Sequence, residues 1–335
     1  MKSYLLYKLD FIALFTLGIV VILQSVGTGT NLVVLAEAEL IIETKQPLVI
    51  EVGPTPDTDE YKEALADIWI KEKEIHSGDY KITRKCKSEP NDEYIGSCKL
   101  VVRRGAKSIK RFETETGRSD WLRYGFFNFL GGKQKQLVVQ TYSGGAHCCY
   151  DYYIYDLSHG FRAVYESSKF DSANQIGNEL IPVDIDGDRV FEFYQDVMAF
   201  DYMGSAGHAS ASFPPAIFSF DKKKGRYILA TDRFPKFVLN QLYENLTYLD
   251  KEIAKKRDYG LSKEDMDEYN QEYRVRETFL FLVYAGKKEK AWEYFRENYK
   301  SKISGKYMDE FRVQCIKEFN ETFKADPTYR SIYGK

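Results

Sequence analysis

Residues 184–192 read Asp184-Ile-Asp186-Gly-Asp188-Arg-Val-Phe-Glu192, and the rest of the chain can be organised around this loop. Acidic residues stand at its positions 1, 3, 5 and 9, with Gly187 between the second and third. A hard cation such as Ca²⁺ takes roughly six to eight oxygen ligands, and alternate carboxylates in a tight loop converge to supply them. Gly187 permits the sharp turn. Glu192 opens the run Phe193-Tyr194, so the loop is expected to feed a strand, with Glu192 closing the ligand shell. The spacing is not that of an EF-hand, whose closing Glu falls at position 12. The competing interpretation is a solvated acidic turn between two strands.

The loop has an echo 56 positions upstream, Asn128-Phe-Leu-Gly131-Gly132-Lys-Gln-Lys-Gln136, which keeps the glycine and the following strand but none of the carboxylates. After each loop come a strand, a Gly-rich bend holding one His (His147, His208), a second strand, a turn and a third strand. A third unit is marked by Cys98-Lys-Leu-Val-Val-Arg-Arg-Gly-Ala-Lys107, which reads as a closing hairpin. Over about residues 82–231, and most specifically at Asp184 to Glu192, the pattern resembles FG-GAP repeats, the calcium-loop blades of integrin-α-type β-propellers. Arg189 stands where those loops usually carry Gly. The resemblance implies a Ca²⁺ ion on Asp184, Asp186, Asp188 and Glu192, and blade-like antiparallel hairpins. Three units are too few for a closed propeller, which needs about four.

The wider texture agrees with that division. Strand-like runs rich in Val, Ile, Tyr and Phe alternate with Gly, Asn and Asp turns from Tyr80 onward. After Phe234-Pro235 the spacing becomes helical, over Phe237–Arg257, Ser262–Ala285, Lys288–Tyr299 and Lys306–Lys324. The stretch from Leu282 to Phe295 resembles the inter-helix segment of a TPR hairpin, but one copy does not make a solenoid. A helical bundle packed on the sheet is the preferred expectation. Upstream, Leu48 to Val52 reads as a short strand and Asp59 to Ile75 as a helix, with Tyr61, Leu65, Ile68 and Trp69 on one face. The expected fold is α+β: residues 39–79 a linker with a short strand and helix, 80–233 an antiparallel β-rich repeat domain, and 234–335 a helical domain.

Ser143-Gly-Gly-Ala-His147-Cys148-Cys149 is the least generic segment. Cys148 and Cys149 can form a vicinal disulfide. Alternatively His147 and Cys149, with His208, can hold Zn²⁺ or copper, since imidazole and thiolate are suitable ligands. In the third case they are two buried thiols beside a hydrogen-bonded histidine. The bend resembles one in exported bacterial proteins of unassigned activity. Cys86 and Cys98 flank a turn-rich loop and are expected to pair, and Cys315 falls on an apolar helical face.

The N-terminus reads as an export address. Lys2 and Lys8 precede Phe11–Leu23, thirteen residues without a charge, which is short for a membrane span. Ala36-Glu37-Ala38 offers a cleavage site, so residues 1–38 are expected to be a signal peptide, or an uncleaved anchor that would be the chain's only membrane contact. The protein is then exported, periplasmic or extracellular, where disulfides persist. Over all 335 residues the formal charge is −2, which provides no field for a nucleic acid. Signatures such as G-x-S-x-G, H-E-x-x-H and the Walker loop do not occur. The expectation is a non-catalytic binding or envelope-scaffold protein with a structural Ca²⁺ loop and an unidentified protein or envelope ligand. The alternative is a thiol- or metal-dependent enzyme centred on His147, Cys148 and Cys149.

Overall fold

The structure is a computed structural model, which describes residues 38–42, 48–52, 69–89, 92–114, 121–142, 150–158, 160–169, 176–201, 203, 211–254, 263–298 and 306–334. It is an α+β protein, rich in antiparallel sheet, with its helices toward the C-terminus. A two-stranded hairpin, β1 (Ala38–Ile42) and β2 (Leu48–Val52), comes first. Twelve strands then form three four-stranded sheets.

The first sheet contains β3 (Glu74–Ser77), β4 (Tyr80–Glu89), β5 (Asp92–Arg104) and β6 (Lys107–Thr114). The second contains β7 (Leu122–Phe127), β8 (Gln136–Tyr142), β9 (Tyr150–Asp156) and β10 (Arg162–Glu166). The third contains β11 (Ile176–Val183), β12 (Glu192–Val197), β13 (Pro215–Asp221) and β14 (Arg226–Leu229). In each sheet the spatial order is the sequence order. Such up-and-down meanders need only short connections, and Gly78 and Gly105, at φ +55° and +58°, supply two of the turns.

The middle sheet is covered on both faces, which is why β8 reads Gln-Leu-Val-Val-Gln rather than alternating. Leu137, Val139 and Tyr155 pack with Ile82, Leu100 and Val102 of the first sheet. Val138, Tyr152 and Ile154 point the other way, into a cluster shared with the third sheet. A bulge between Ala163 and Tyr165 lets Val164 and Tyr165 both join that second cluster. The first sheet carries more charge: in β6, buried Phe112 and Thr114 alternate with exposed Arg111 and Glu113.

The helices close the far side of the third sheet. They are α1 (Pro235–Ala254), α2 (Lys263–Tyr284), α3 (Lys288–Asn298), α4 (Lys306–Ala325) and α5 (Pro327–Tyr333). Tyr194 of β12 meets Phe237 of α1, and Phe200 meets Tyr284 of α2 and Phe323 of α4. One apolar cluster thus continues across residues 233–234. Gly286, at φ +76°, ends α2: its N–H donates to Val283 and that of Lys287 to Leu282, the paired bonds of a Schellman cap. No helix among the described residues is long and apolar enough to cross a membrane.

Two details differ from the sequence expectations. The C-terminal part of the helix expected over Asp59–Ile75 is extended chain: Trp69 bridges antiparallel to Gly125, the Ile70 N–H donates to the Tyr124 carbonyl, and Glu74 begins β3. Residues 59–68 of that expected helix lie outside the described residues, as does the export segment before residue 38. A fifth helix, α5, follows the four expected. Its signal was Asp326-Pro327: the Asp326 carboxylate caps the N–H groups of Thr328 and Tyr329, and Pro sits at the first helical position.

Two outcomes follow from this packing. Cys86 and Cys98 face one another across β4 and β5 and are joined in a disulfide. Closing a loop of that size stabilises by about 3 kcal/mol, so chemical denaturation under reducing conditions should show a loss of that order. Burial holds the Asp326 carboxyl above its ordinary range, although the hydroxyl of Tyr284 donates to it. A carboxyl with a raised folded pKa stabilises most while protonated. Its contribution is therefore largest below the ordinary carboxylate range and is lost as pH rises through the raised value. Asp326→Asn should flatten this part of the stability–pH curve.

Candidate metal site

The loops of interest hold equivalent places: residues 128–135 join β7 to β8, and residues 184–191 join β11 to β12. They also touch. The Phe191 N–H donates to the Phe129 carbonyl at 2.8 Å, and the buried Tyr227 hydroxyl donates to the Phe191 carbonyl at 2.8 Å. Gly131 lies so close that a Cβ there would sit 2.1 Å from the Arg189 carbonyl oxygen. Gly131 and Arg189 both take left-handed backbone, at φ +68° and +67°. For Arg189 this costs about 1–2 kcal/mol relative to a glycine in the same conformation.

Within the second loop, Asp184, Asp186 and Asp188 bring one carboxylate oxygen each to within 4.8 Å of one another. Each also ties down the backbone. The N–H groups of Arg189, Asp188 and Val190 donate to Asp184 Oδ2, Asp186 Oδ1 and Asp188 Oδ1, at 3.2, 3.3 and 2.8 Å. Asp184 Oδ1 is buried and accepts no hydrogen bond. At the cluster's separation each pair of carboxylates repels by about 1 kcal/mol in water and by more beside protein. The exposed Lys222 sets its Nζ 3.5 Å from Asp188 Oδ2.

Glu192, expected as the fourth ligand, lies beside the cluster rather than in it. As the first residue of β12 it is only 2% exposed. Its Oε2 accepts from the Ile185 N–H at 3.2 Å, and its Oε1 from the Ser219 hydroxyl of β13 at 3.0 Å. Burial, and then the charge of Asp186, push its carboxyl up to about 7. Gln136 is its counterpart in the first loop, also buried at the start of its strand. Gln136 Oε1 accepts from the Leu130 N–H, and its NH₂ donates to the Gln134 carbonyl. The neutral amide satisfies its loop from both ends, whereas the carboxylate can only accept.

The other expected site is not part of this geometry. His147, Cys148, Cys149 and His208 lie outside the described residues. Cys315 is buried in α4. A groove of about 1020 Å³ opens beside the ends of the first two sheets, and two of its charged residues, Asp79 and Arg104, pair with each other at 3.0 Å.

Comparison with known proteins matches no family model, no curated sequence and no solved structure.

The contact between the loops is open to direct test. Gly131→Ala places a methyl group against backbone in a left-handed conformation, and should cost more than about 2 kcal/mol in urea unfolding. Arg189→Gly relieves strain and should stabilise by about 0.5–1 kcal/mol, after allowing for the freer unfolded chain.

Proposed function

We propose that the chain is an exported, non-catalytic binding or scaffold protein, and that Ca²⁺ on the 184–192 loop stiffens its sheet region. The observation that carries the reading is the convergence of Asp184, Asp186 and Asp188, with Asp184 Oδ1 buried and unbonded. A divalent ion would replace mutual repulsion with coordination, and all the oxygen donors on offer are hard, as Ca²⁺ prefers. Backbone carbonyls and water would complete the shell. The equal strand order of the three sheets supports a description as blade-like repeats in an open arc. The helices would then act as the cover of the last blade.

Export is supported by two independent features, the charge-free Phe11–Leu23 run near the N-terminus and the Cys86–Cys98 disulfide. Ca²⁺ is abundant outside cells, and loops of this kind suit weak sites, with dissociation constants of roughly 10⁻⁴–10⁻³ M.

Thermal unfolding of the full chain tests the reading. An ion present at about 100 times its dissociation constant adds about 2.7 kcal/mol, which raises the midpoint by several degrees, and chelator reverses it. Asp184→Asn or Asp186→Asn should abolish the response. Lys222→Ala should strengthen it by removing a competing cation. A midpoint that does not move with about 10 mM Ca²⁺, well above such constants, rejects the ion.

A further inference from the structure

The first sheet carries a charge imbalance that the whole-chain total conceals. Residues 74–114 hold ten Lys and Arg against six Asp and Glu, while the whole chain has a formal charge of −2. Strand register sorts these residues by face, because partners across an antiparallel ladder point the same way and neighbours along a strand point opposite ways. One face, with Ile82, Leu100, Val102 and Phe112, packs on the second sheet. On the other face Lys81 stands opposite Arg103, Lys85 opposite Lys99 and Lys87 opposite Ser97. Toward β6, Lys99 and Val101 stand opposite Glu113 and Arg111, and toward β3, Thr83 stands opposite Glu74.

Six bases, Lys81, Lys85, Lys87, Lys99, Arg103 and Arg111, therefore share this face with two acids, Glu74 and Glu113. Both acids are engaged: Lys81 lies 2.7 Å from Glu74, and Lys99 2.6 Å and Arg111 3.7 Å from Glu113. Glu89, Asp92 and Glu93 fall at one end, where β4 turns into β5. Lys85 and Lys87 are exposed and Arg103 is half-buried, and none of the three has an ion-pair partner among the described residues. Thr83 and Val101, between the long basic stems, are buried. Like charges directly opposite one another destabilise a ladder. Lys81–Arg103 and Lys85–Lys99 are two such pairs, and an anionic partner offsets their repulsion.

We infer that this face docks on an anionic lipid surface, in addition to any contact made by the N-terminal segment. The pattern fits a plane rather than a pocket. Lys81 to Lys87 spans about 20 Å along β4, and neighbouring strands lie about 5 Å apart, so a layer of headgroups meets the whole array at once. Four of the six bases are lysines, compact point charges without the planar fork that suits bidentate capture of a single phosphate. Each Lys or Arg near such a surface contributes about 1 kcal/mol. Nucleic acid is the competing polyanion. Proteins that hold single strands stack the bases on aromatic rings, and the described residues of this face include no Phe, Tyr or Trp. The docking needs no ion on the 184–192 loop.

Flotation of the full-length protein with vesicles, in the presence of chelator, tests this. The probes are phosphatidylcholine alone, and phosphatidylcholine mixed with phosphatidylglycerol at about three to one. Phe11–Leu23 can enter either bilayer, so the zwitterionic vesicle sets the baseline. Binding to the anionic vesicle should exceed that baseline by about 100-fold or more at about 0.1 M salt. It should fall back toward the baseline at about 1 M, where the Debye length drops from about 10 Å to about 3 Å. Lys85→Gln together with Lys87→Gln should weaken the anionic binding by about 30-fold, about 5-fold per lysine. Because Lys85 lies opposite Lys99, the thermal midpoint of that variant should hold or rise while its binding falls. Lys2→Gln together with Lys8→Gln should leave the anionic preference in place. Five results overturn the inference: equal binding to both vesicles, a preference insensitive to salt, an undiminished preference in the folded Lys85→Gln, Lys87→Gln protein, its loss in the Lys2→Gln, Lys8→Gln protein, or tighter binding to short DNA than to the anionic vesicle. If the Lys85→Gln, Lys87→Gln protein does not fold, Arg103→Gln carries the same test at about 5-fold. Chelator excludes Ca²⁺, so this surface and the ion loop can fail separately.

Discussion

The architecture depends on a contact between two loops that are far apart in sequence. The Phe191 N–H reaches the Phe129 carbonyl, Tyr227 bonds the Phe191 carbonyl from below, and Gly131 lets the Arg189 backbone come within contact distance. Around this junction Phe127, Phe129, Phe191, Phe193 and Tyr227 stack edge to face or tilted. Isolated backbone hydrogen bonds contribute only about 1 kcal/mol net. Here they matter because an aromatic cluster keeps water out and a missing side chain keeps the backbones close. Besides the junction, the second and third sheets are linked by apolar packing and by the buried Tyr165 hydroxyl, which donates to Gln195 Oε1 at 2.7 Å.

From that junction the rest follows in layers. The middle sheet must be apolar on both faces because it is packed on both, and β8 and β9 meet the requirement by alternating residues between two separate clusters. The first sheet needs only one apolar face and exposes its charges. The third sheet would expose its far side, so the helices cover it, joined through Tyr194, Phe200 and Phe237. This accounts for the many aromatic residues and few prolines in the composition. Large rings fill the gaps between sheets that twist relative to one another, and short meander turns need Gly rather than Pro.

What could be read from the sequence was what repeats locally. The β8, β9, β12, β13 and β14 runs were visible because Val, Ile, Tyr and Phe cluster between turn residues, and α1 to α4 because of their spacing. The segment around Trp69 was misleading. Its apolar residues fall at helical intervals, yet the open edge of β7 offers hydrogen bonds to Trp69 and Ile70 and makes extended chain the better solution. The convergence of Asp184, Asp186 and Asp188 follows from alternation in a tight loop and was legible. The position of Glu192 was not, because Ser219, the residue that holds its carboxylate, is 27 positions away on a neighbouring strand.

The 184–192 loop keeps carboxylates where its counterpart between β7 and β8 has none. Its neighbouring N–H groups of Asp188, Arg189 and Val190 are bound to carboxylate oxygen, and Asp184 Oδ1 is left buried without a hydrogen bond. The first loop shows the alternative solution: Gln136 places an amide where the second loop has Glu192, and supplies its own donor. Retaining carboxylates is therefore unnecessary for making such a loop, and on the reading proposed above the retained charge serves an ion. On the 184–192 loop the free oxygens are close together and mostly at the surface, so a small hydrated ion can reach several at once.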